Sequence, residues 1–525
     1  MKKIATLLLA AGLVFGAATG ASAIDFKAKG QWVMSFDYGQ NGAFVGKDKG
    51  HTKTGWNGKQ DDFEAQQRVR LQLDAVASEA LSGTVYFEIG TTTWGQNSSG
   101  GALGADAYIV KLKNAYIDWM PPETDLKVRM GIQNITTPAY ASGNSVLNDD
   151  VAGIVANYQV NEMVGITAFW ARPYNDNFTG YPEGAGHVKN WRANYMDNMD
   201  AVGLMVPLTL DGAKVTPWGM YAGIGPNTFR SITKDDDMVD NNALGNIPGA
   251  GSAYVSAGLF PAGGPRHRNF DPAEKDSPWG GRSLSSYGNA WWGGISSEIT
   301  IWDPFRLAFD FEYGSVTWED DGRMNRQGWF ATLLAEYKLD WAIPGIYGWY
   351  SSGDDANPAN GSERLPSLDG NNTNLYSTFA FAGEPYITSR DGRIGVGMAG
   401  TWGIGARLKD MSFIEDLKHT FRVNYIGGTN STTMAKKMSL AGWWANQGEI
   451  GMESMYLTTG DSALEFGLTN TYKMYDNFTI QLDADYIALW LDTSTSAWGA
   501  RHKRGDSIPQ TKDAWNINAS FVYSF

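Results

Sequence analysis

The sequence predicts an all-β fold: a transmembrane antiparallel β-barrel of 18 strands, with long outer loops and short periplasmic turns. Segments of about ten residues alternate apolar and polar side chains, as a strand with one apolar and one polar face does. Short turns and long polar spacers alternate between these segments. No later segment approaches the roughly 20 consecutive apolar residues of a spanning helix, so a closed barrel must satisfy the backbone hydrogen bonds.

The last strand shows this alternation most clearly. Between Asp513 and Phe525, apolar and polar side chains occupy positions of opposite parity. The apolar set is Trp515, Ile517, Ala519, Phe521, Tyr523 and Phe525, and the polar set is Asn516, Asn518, Ser520 and Ser524. The aromatic Phe525 closes the strand without a polar tail, which favours a strand with one side in lipid.

The first 23 residues predict a cleaved secretory signal peptide. Lys2 and Lys3 form its charged start, Ile4–Val14 its apolar middle, and Ala21–Ala23 a small-residue cleavage site. Residues 24–525 are predicted to form a single barrel domain, because no linker, coiled coil or fixed repeat interrupts them. An export signal followed by a barrel predicts the outer membrane of a Gram-negative bacterium.

Composition excludes several classes of function. The chain has no cysteine, which excludes a disulfide scaffold, a thiolate metal site and cysteine catalysis. Its net charge of −14 argues against nucleic acid as a partner, since phosphate binding requires a basic face. The 63 glycines, 24 tyrosines and 21 tryptophans suit tight turns and aromatic girdles at membrane interfaces.

Parity assigns the faces of the early strands. The first strand is predicted near Phe26–Tyr38, with Trp32, Met34, Phe36 and Tyr38 on one face. The second lies between Asp61 and Ser78. Its lipid-facing residues are Phe63, Ala65, Val69, Leu71, Leu73 and Ala75, and its lumen-facing residues are Glu64, Gln66, Arg68, Arg70, Gln72 and Asp74.

Two lysines break the alternation. Lys111 and Lys113 share parity with Ala115 and Ile117, which would point both ammonium groups at lipid. Either these lysines extend to the headgroups or a β-bulge switches the parity. The sequence leaves both alternatives open.

The spacers give the strand count. Nine long spacers and eight short turns predict 18 strands, and merging two weak segments would give 16. Short turns are predicted near Glu79 and at Met120–Glu123, Asn161–Glu162, Asp211–Gly212, Asp303–Pro304, Leu339–Asp340 and Asp476–Asn477. The longest spacers, Gly225–Asn289, Ser351–Arg393 and Gly428–Asp461, are predicted to be outer-surface loops.

Three features together resemble the outer-membrane homotrimeric porins of sulfate-reducing bacteria and, more distantly, the general diffusion porins. They are Asp62–Gly90 (DFEAQQRVRLQLDAVASEALSGTVYFEIG), Asn114–Gln133 (NAYIDWMPPETDLKVRMGIQ) and the terminal Phe525. The resemblance implies a homotrimer of barrels, each with its own water-filled channel. It also implies that the third long loop, here Asn134–Asp150, folds inward, and that Phe525 is the signal recognised by the barrel-assembly machinery.

Charged residues of inward parity are the candidate channel residues. A barrel of this width is too wide for side chains to fill, so the interior is predicted to be aqueous, and charges at its narrowest level tune ion preference. We expect an arginine wall facing a carboxylate wall; the alternative is that these are solvated residues without individual importance. The cations are Arg68, Arg70, Lys127, Arg129 and Arg422, and the carboxylates are Asp149, Asp150, Glu465, Asp483 and Asp485.

Other clusters predict no cofactor. Asp235, Asp236, Asp237 and Asp240 could bind Ca²⁺ on an outer loop, but they lack the glycine and spacing of a calcium-binding hand. A solvated acidic loop is the better interpretation there and at Asp354, Asp355 and Asn357. The histidines, which are His51, His187, His267, His419 and His502, show no metal-ligand spacing.

The aromatic residues favour membrane anchoring over ligand stacking. Trp32, Trp119, Trp170, Trp302 and Trp490 lie near predicted strand ends, where indole rings anchor a barrel in the interface. The pairs Trp291–Trp292 and Trp443–Trp444 could instead stack sugar rings. Such a channel would need several aromatic residues aligned inside the lumen.

The sequence therefore predicts a non-enzymatic porin for passive diffusion of small hydrophilic solutes and ions, selected by size and charge. Its predicted partners are outer-membrane lipid, the assembly machinery and two further copies of the chain. A solute-specific channel for anions or sugars is the first alternative. A surface structural barrel with a blocked lumen and an outer-membrane hydrolase are the others; the chain has no G-x-S-x-G motif.

Overall fold

The structure is a computed structural model. It describes residues 24–41, 63–96, 100–104, 110–175, 198–225, 258–261, 287–319, 322–357, 359–368, 376–381, 383, 386, 394–395, 397–437, 456–492 and 512–525. The predicted signal peptide, the aspartates at 235–237 and 240, the tryptophans at 443–444 and the histidines at 51, 187, 267 and 502 lie outside these residues. Within the described part of the chain, no helix is both long enough and apolar enough to cross a bilayer.

Among the residues that the structure describes, nineteen strands make one antiparallel sheet. In chain order they are β1 (Asp25–Gln40), β2 (Phe63–Ser78), β3 (Leu81–Thr93), β4 (Val110–Trp119), β5 (Lys127–Thr136), β6 (Asn148–Gln159), β7 (Gly165–Asn175), β8 (Asn198–Met205), β9 (Leu208–Leu210), β10 (Ala213–Ile224), β11 (Gly288–Ile299), β12 (Phe305–Trp318), β13 (Arg326–Tyr337), β14 (Ile343–Ser351), β15 (Thr401–Ile414), β16 (Leu417–Gly428), β17 (Ser462–Tyr475), β18 (Phe478–Trp490) and β19 (Ala514–Ser524). A short helix, Thr432–Lys437, follows β16.

Strands β8 and β9 are two parts of one wall strand. Both pair with β10, and Val206 and Pro207 separate them. Proline has no N–H to donate to a neighbouring strand, so the ladder is interrupted at this point. The wall therefore has 18 strand positions, which confirms the predicted count of 18 over 16.

The sheet closes between its first and last strands. β1 pairs with β19 on one side and with β2 on the other, in antiparallel register. Phe525 extends this pairing, since its backbone exchanges two hydrogen bonds with Gly30, at 2.9 and 3.0 Å. Short turns join consecutive strands at the rim that holds Asp25 and Ser524, and the longer connections leave from strand ends at the other rim. This is the architecture of outer-membrane barrels.

The two faces of the wall follow the predicted parity. On β1, Trp32, Met34 and Tyr38 are exposed on the outside, whereas Ser35 and Asp37 are buried inside. The tryptophans predicted to anchor the barrel are exposed: Trp32, Trp119, Trp170, Trp302 and Trp490. An outer face of this kind suits hydrocarbon with aromatic residues at its edges.

A bulge resolves the anomaly at the two lysines. The register between β3 and β4 shifts so that Tyr86 pairs with Asn114 and Phe87 pairs with Leu112, which leaves Lys113 as the extra residue. The shift turns Lys111 to the inside, where it lies 3.5 Å from Glu88, and Lys113 contacts Asp150. Of the two alternatives that the sequence allows, the parity switch is the one observed.

The loop between β5 and β6 lies inside the barrel. The strands extend further than the sequence indicated, to Thr136 and from Asn148, so this inner loop comprises residues 137–147. Its backbone N–H groups at Tyr140, Ala141 and Ser142 donate to the Asp310 carboxylate of β12, at 2.8, 2.7 and 3.3 Å. The inner loop therefore spans from β5 and β6 to a wall several strands away.

Much of the lumen beside β11–β19 is packed rather than aqueous. One continuous cluster of buried apolar side chains joins the inner loop, Leu259 and Phe260, and the cover segment, which we define as residues 376–381. Inward side chains such as Trp292 and Trp349 complete this cluster. The prediction of an aqueous interior is therefore wrong for this side, because loops from distant parts of the chain fold over it.

Candidate channel lining

The inward face of β2–β5 reaches solvent. We call it the solvated wall, and we call the inward face of β11–β19 the covered wall. Side chains of the solvated wall keep appreciable exposure, for example 27% at Arg70 near mid-height and 39% at Arg129 nearer the periplasmic rim. On the covered wall, Glu336 and Arg407 retain 6% and 5%. An aqueous path past the described residues therefore runs beside β2–β5 and extends to the inward face of β6 and β7, where Asn157 is exposed and accepts a hydrogen bond from Thr167.

Two predicted arginines of the solvated wall are paired with carboxylates on neighbouring strands. Arg70 contacts Glu88 across β2 and β3 at 2.8 Å. Arg129 donates two hydrogen bonds to Asp118, at 2.6 and 2.9 Å, and lies 3.9 Å from the Tyr116 ring centroid. These pairs place cation and anion on the same wall, rather than on walls that face each other.

Arg68 differs from these two arginines. It pairs with Val33 and Gly90 in the neighbouring strands, so no acidic side chain stands directly beside it. Its Nε is buried without a hydrogen-bond partner among the described residues, and Arg68 forms no ion pair with any of them. Glu88, which pairs with Arg70, also attracts Arg68 at longer range, so Arg68 is a cation without an ion pair of its own among the described residues. Lys127 is exposed at the periplasmic end of β5.

Asp149 and Asp150 lie in β6 and do not end the inner loop, which corrects the sequence prediction. Asp150 accepts hydrogen bonds from Lys113 and, at 2.7 Å, from Asn114. β4 pairs with β5 only up to Ile132, so Asp150 connects β4 to the top of the β5–β6 hairpin beyond that point. Asp150 thus holds the base of the inner loop, while Asp310 holds its far end.

Glu465 and Asp485 are buried anchors rather than channel-lining residues. Glu465 is 1% exposed, and it accepts hydrogen bonds from the backbone of Phe379 and Ala380 at 3.1 and 2.9 Å. Thr378 donates to Asp485. Their inward parity was predicted correctly, but the cover segment lies over both, which corrects their assignment to the channel.

Asp483 and Arg422 also belong to the covered wall. Asp483 is 4% exposed and accepts a hydrogen bond from Gln481 at 2.7 Å. Arg422 donates to Thr469 at 3.1 Å. The predicted constellation therefore divides, with Arg68, Arg70, Lys127 and Arg129 on the solvated wall, and Arg422, Glu465, Asp483 and Asp485 on the other.

An ionic chain on the covered wall was not identified from the sequence. It runs from Lys214 through Glu298, Arg306 and Glu336 to Arg407, and the successive ion pairs measure 3.6, 2.5, 2.8 and 2.6 Å. Gly345 stands between Glu336 and Arg407 on β14, and the absent side chain lets the two residues meet across that strand. In the sequence, each of these residues has the parity of the inward face on its strand, and that signal could have indicated them as a group.

The remaining predicted residues have structural settings. Trp291 faces outward and Trp292 inward, where its indole donates to the Pro366 carbonyl at 2.8 Å, so the two rings do not share one face. His419 lies near the periplasmic end of β16 and contacts Asn470 at 2.6 Å. Among the described residues, no group of three His, Cys, Asp or Glu side chains is arranged to hold a metal ion.

The acidic loop after β14 is ordered by its own hydrogen bonds. Asp354 is buried and accepts hydrogen bonds from Ser362 at 2.5 Å and Tyr456 at 2.7 Å, so it is not the solvated residue that the sequence predicted. Glu363 accepts from the backbone N–H of Asp355 at 2.9 Å. Burial raises the pKa of Glu363 to about 7, and the charges of Asp354 and Asp355 add to the rise.

This raised pKa makes the loop sensitive to pH. Because the folded loop holds the Glu363 proton more tightly than an unfolded chain, whose value is 4.5, the stabilisation is complete below that value and is lost as the pH rises through about 7. We expect hydrogen exchange at residues 352–368 to accelerate between about pH 5 and about pH 8 beyond the intrinsic trend. Glu363→Gln removes the extra acceleration; equal pH profiles for both proteins would contradict it.

Comparison with known proteins gives a likeness of fold. No family model matches the chain, and no curated protein matches it. Solved structures similar to it include Pseudomonas aeruginosa OpdQ, Acinetobacter baumannii OccAB3 and P. aeruginosa OpdK with vanillate, each at 9% identity. The matches cover 95% of this chain and 98%, 100% and 98% of those chains, with TM-scores of 0.46, 0.47 and 0.47. At this level the similarity identifies no solute.

Proposed function

We propose that the protein is an outer-membrane porin that lets small hydrophilic solutes and ions diffuse passively along the solvated wall. The observation that carries the proposal is a closed 18-strand barrel with an apolar outside and partly exposed ionic side chains on one inner wall. Polar residues inside a membrane barrel cost little only where water solvates them, so that wall indicates an aqueous path. Passage requires no cofactor and no catalysis.

Three finer features complete the proposal. The barrel assembles as a homotrimer, the assembly machinery recognises Phe525, and selection depends on size and charge. Support for selection by charge comes from Arg68, because a cation without an ion pair of its own in a narrow, low-dielectric passage acts strongly on nearby ions. Support for the first two comes from the sequence resemblance.

Recording from single channels in planar bilayers tests the function. We expect discrete, ohmic conductance steps from the purified protein, with heated and unheated gels reporting barrel and trimer. A properly folded barrel that gives no conductance would contradict the proposal and favour a structural barrel. Because the inner loop and the cover segment narrow the lumen, a solute-specific channel is the second candidate, and it would show saturable block by its solute.

Ion selectivity tests the solvated wall. Replacing Arg68, Arg70 and Arg129 together with alanine removes three positive charges, which leaves Asp118 without its cation and Glu88 with Lys111 alone. We expect the anion-to-cation permeability ratio to fall by at least about twofold at low salt, measured from reversal potentials.

The matched control for this selectivity test is Lys338→Ala. Lys338 is exposed in the periplasmic turn after β13, so its replacement changes the net charge without changing the solvated wall. A triple variant with the reversal potential of this control would show that these arginines do not act on permeating ions.

A further inference from the structure

Glu312 is buried under the inner loop. It lies on the inward face of β12, between Gly294 of β11 and Phe330 of β13, and its side chain has no solvent exposure. Ser145 of the inner loop faces it from the lumen side. The carboxyl group is therefore enclosed by the wall behind it and by the loop in front of it.

This carboxyl group has no well-formed hydrogen bond to any described residue. Both of its oxygens are buried and unbonded, as are the hydroxyl of Ser145 and the indole N–H of Trp218. The Trp218 indole lies against Gly294, directly beside Glu312 in the sheet. An ionised carboxylate in such a setting would depend on the nearby hydroxyl and backbone N–H of Ser145, without a well-formed hydrogen bond to either, which is a costly arrangement.

The neighbouring Asp310 is in the opposite situation. It lies two residues away on the same inward face and accepts three backbone N–H groups of the inner loop. These donors suit a negative charge on Asp310, and that charge opposes a second one on Glu312. Two adjacent buried carboxyl groups with one set of donors are expected to share a single negative charge.

Charged groups on the surrounding elements do not compensate Glu312. Arg306 of β12 is engaged by Glu298 of β11 and Glu336 of β13, and Lys214 of β10 also contacts Glu298. Arg326 of β13 donates to the carbonyl groups of Phe260 and Leu365. In the inner loop, Tyr140 contacts Thr216 through its hydroxyl. Among the described residues, Asp310 remains the charged group that acts on Glu312.

We propose that Glu312 is a proton-operated latch for the inner loop. With its proton, the neutral side chain remains buried and the loop stays docked on β12. Loss of the proton places a second negative charge beside Asp310 in a dry site, so the loop must leave to admit water, and the passage widens. The inference builds on the proposed channel function by assigning it a regulation.

Conductance as a function of pH tests the latch. We expect wild-type conductance to increase at least twofold when the pH is raised from acidic to alkaline, since loss of the Glu312 proton releases the inner loop. Glu312→Gln and the apolar Glu312→Leu, neither of which ionises, keep the low-pH conductance throughout. Asp476→Asn, in an exposed periplasmic turn, behaves as wild type. A glutamine or leucine variant with the wild-type pH profile would overturn the proposal.

Chemical labelling separates the latch from the channel function. Since the chain has no cysteine, Ser142→Cys introduces a single thiol on the buried inner loop. We expect the labelling rate of this thiol to rise more steeply with pH when Glu312 is present than in the protein that also carries Glu312→Gln. Both proteins share the intrinsic pH dependence of the thiol, so the difference reports on Glu312. If labelling accelerates with pH only when Glu312 is present, but the protein gives no conductance, the latch is supported and the proposed function is contradicted. If the labelling rate instead changes on addition of Ca²⁺ or a chelator at fixed pH and does not change with pH, the latch is overturned.

Discussion

Replacing Asp310 with alanine is expected to raise the single-channel conductance, because it releases the far end of the inner loop. Three backbone N–H groups of that loop donate to this one carboxylate, which is fully buried. Hydrogen bonds to charged groups contribute about 1.5–3 kcal/mol each, so losing even one increases the undocked population by about one to two powers of ten. The measurement is conductance in planar bilayers at fixed pH and salt.

Asp340→Ala provides the control for this experiment. Asp340 is an exposed aspartate in the periplasmic turn after β13, so its loss changes the charge without affecting the inner loop. Unfolding in denaturant should show that both variants still form barrels. An Asp310→Ala channel with wild-type conductance would mean that the inner loop does not limit passage.

The sequence predicted the barrel because its signal is local and periodic. Alternation between neighbouring side chains fixes which face meets lipid, and turn residues such as Asp211 and Gly212 fix where the chain reverses. The predicted count of 18 strands is confirmed even though Pro207 interrupts one of them. At Lys113, the alternation shows that the strand register must shift but not at which residue. The cross-strand register was therefore needed to identify the bulge.

The sequence could not divide the lumen into a solvated and a covered wall. Glu465 has the inward parity of a channel residue, yet Phe379 and Ala380, more than 80 positions earlier in the chain, lie over it. Parity gives the direction of a side chain and carries no information about which loop packs against it. Arg68 was identified correctly as inward, but its lack of an ionic partner among the described residues follows from cross-strand register.

The second large effect is expected from Arg407→Ala, which should destabilise the barrel. Arg407 and Glu336 form a 2.6 Å ion pair in which each side chain is almost fully buried. Removing one member of a buried pair costs about 3–5 kcal/mol because the other charge remains in a dry site. Arg306 still contacts Glu336 at 2.8 Å, so we expect a loss near the lower end of that range, measured by urea unfolding in detergent.

Two further variants separate the pair itself from the residue removed. Lys214→Ala cuts the exposed end of the same ionic chain, where the contact is 3.6 Å and a surface pair contributes at most about 1 kcal/mol. The double variant Arg407→Leu, Glu336→Leu retains neither buried charge of the pair, so its stability should recover relative to Arg407→Ala. Gly345→Val should also destabilise, because a side chain there meets Glu336 and separates it from Arg407. Equal unfolding midpoints for Arg407→Ala and Lys214→Ala would show that the buried pair adds nothing, and that packing of the loops alone holds the covered wall.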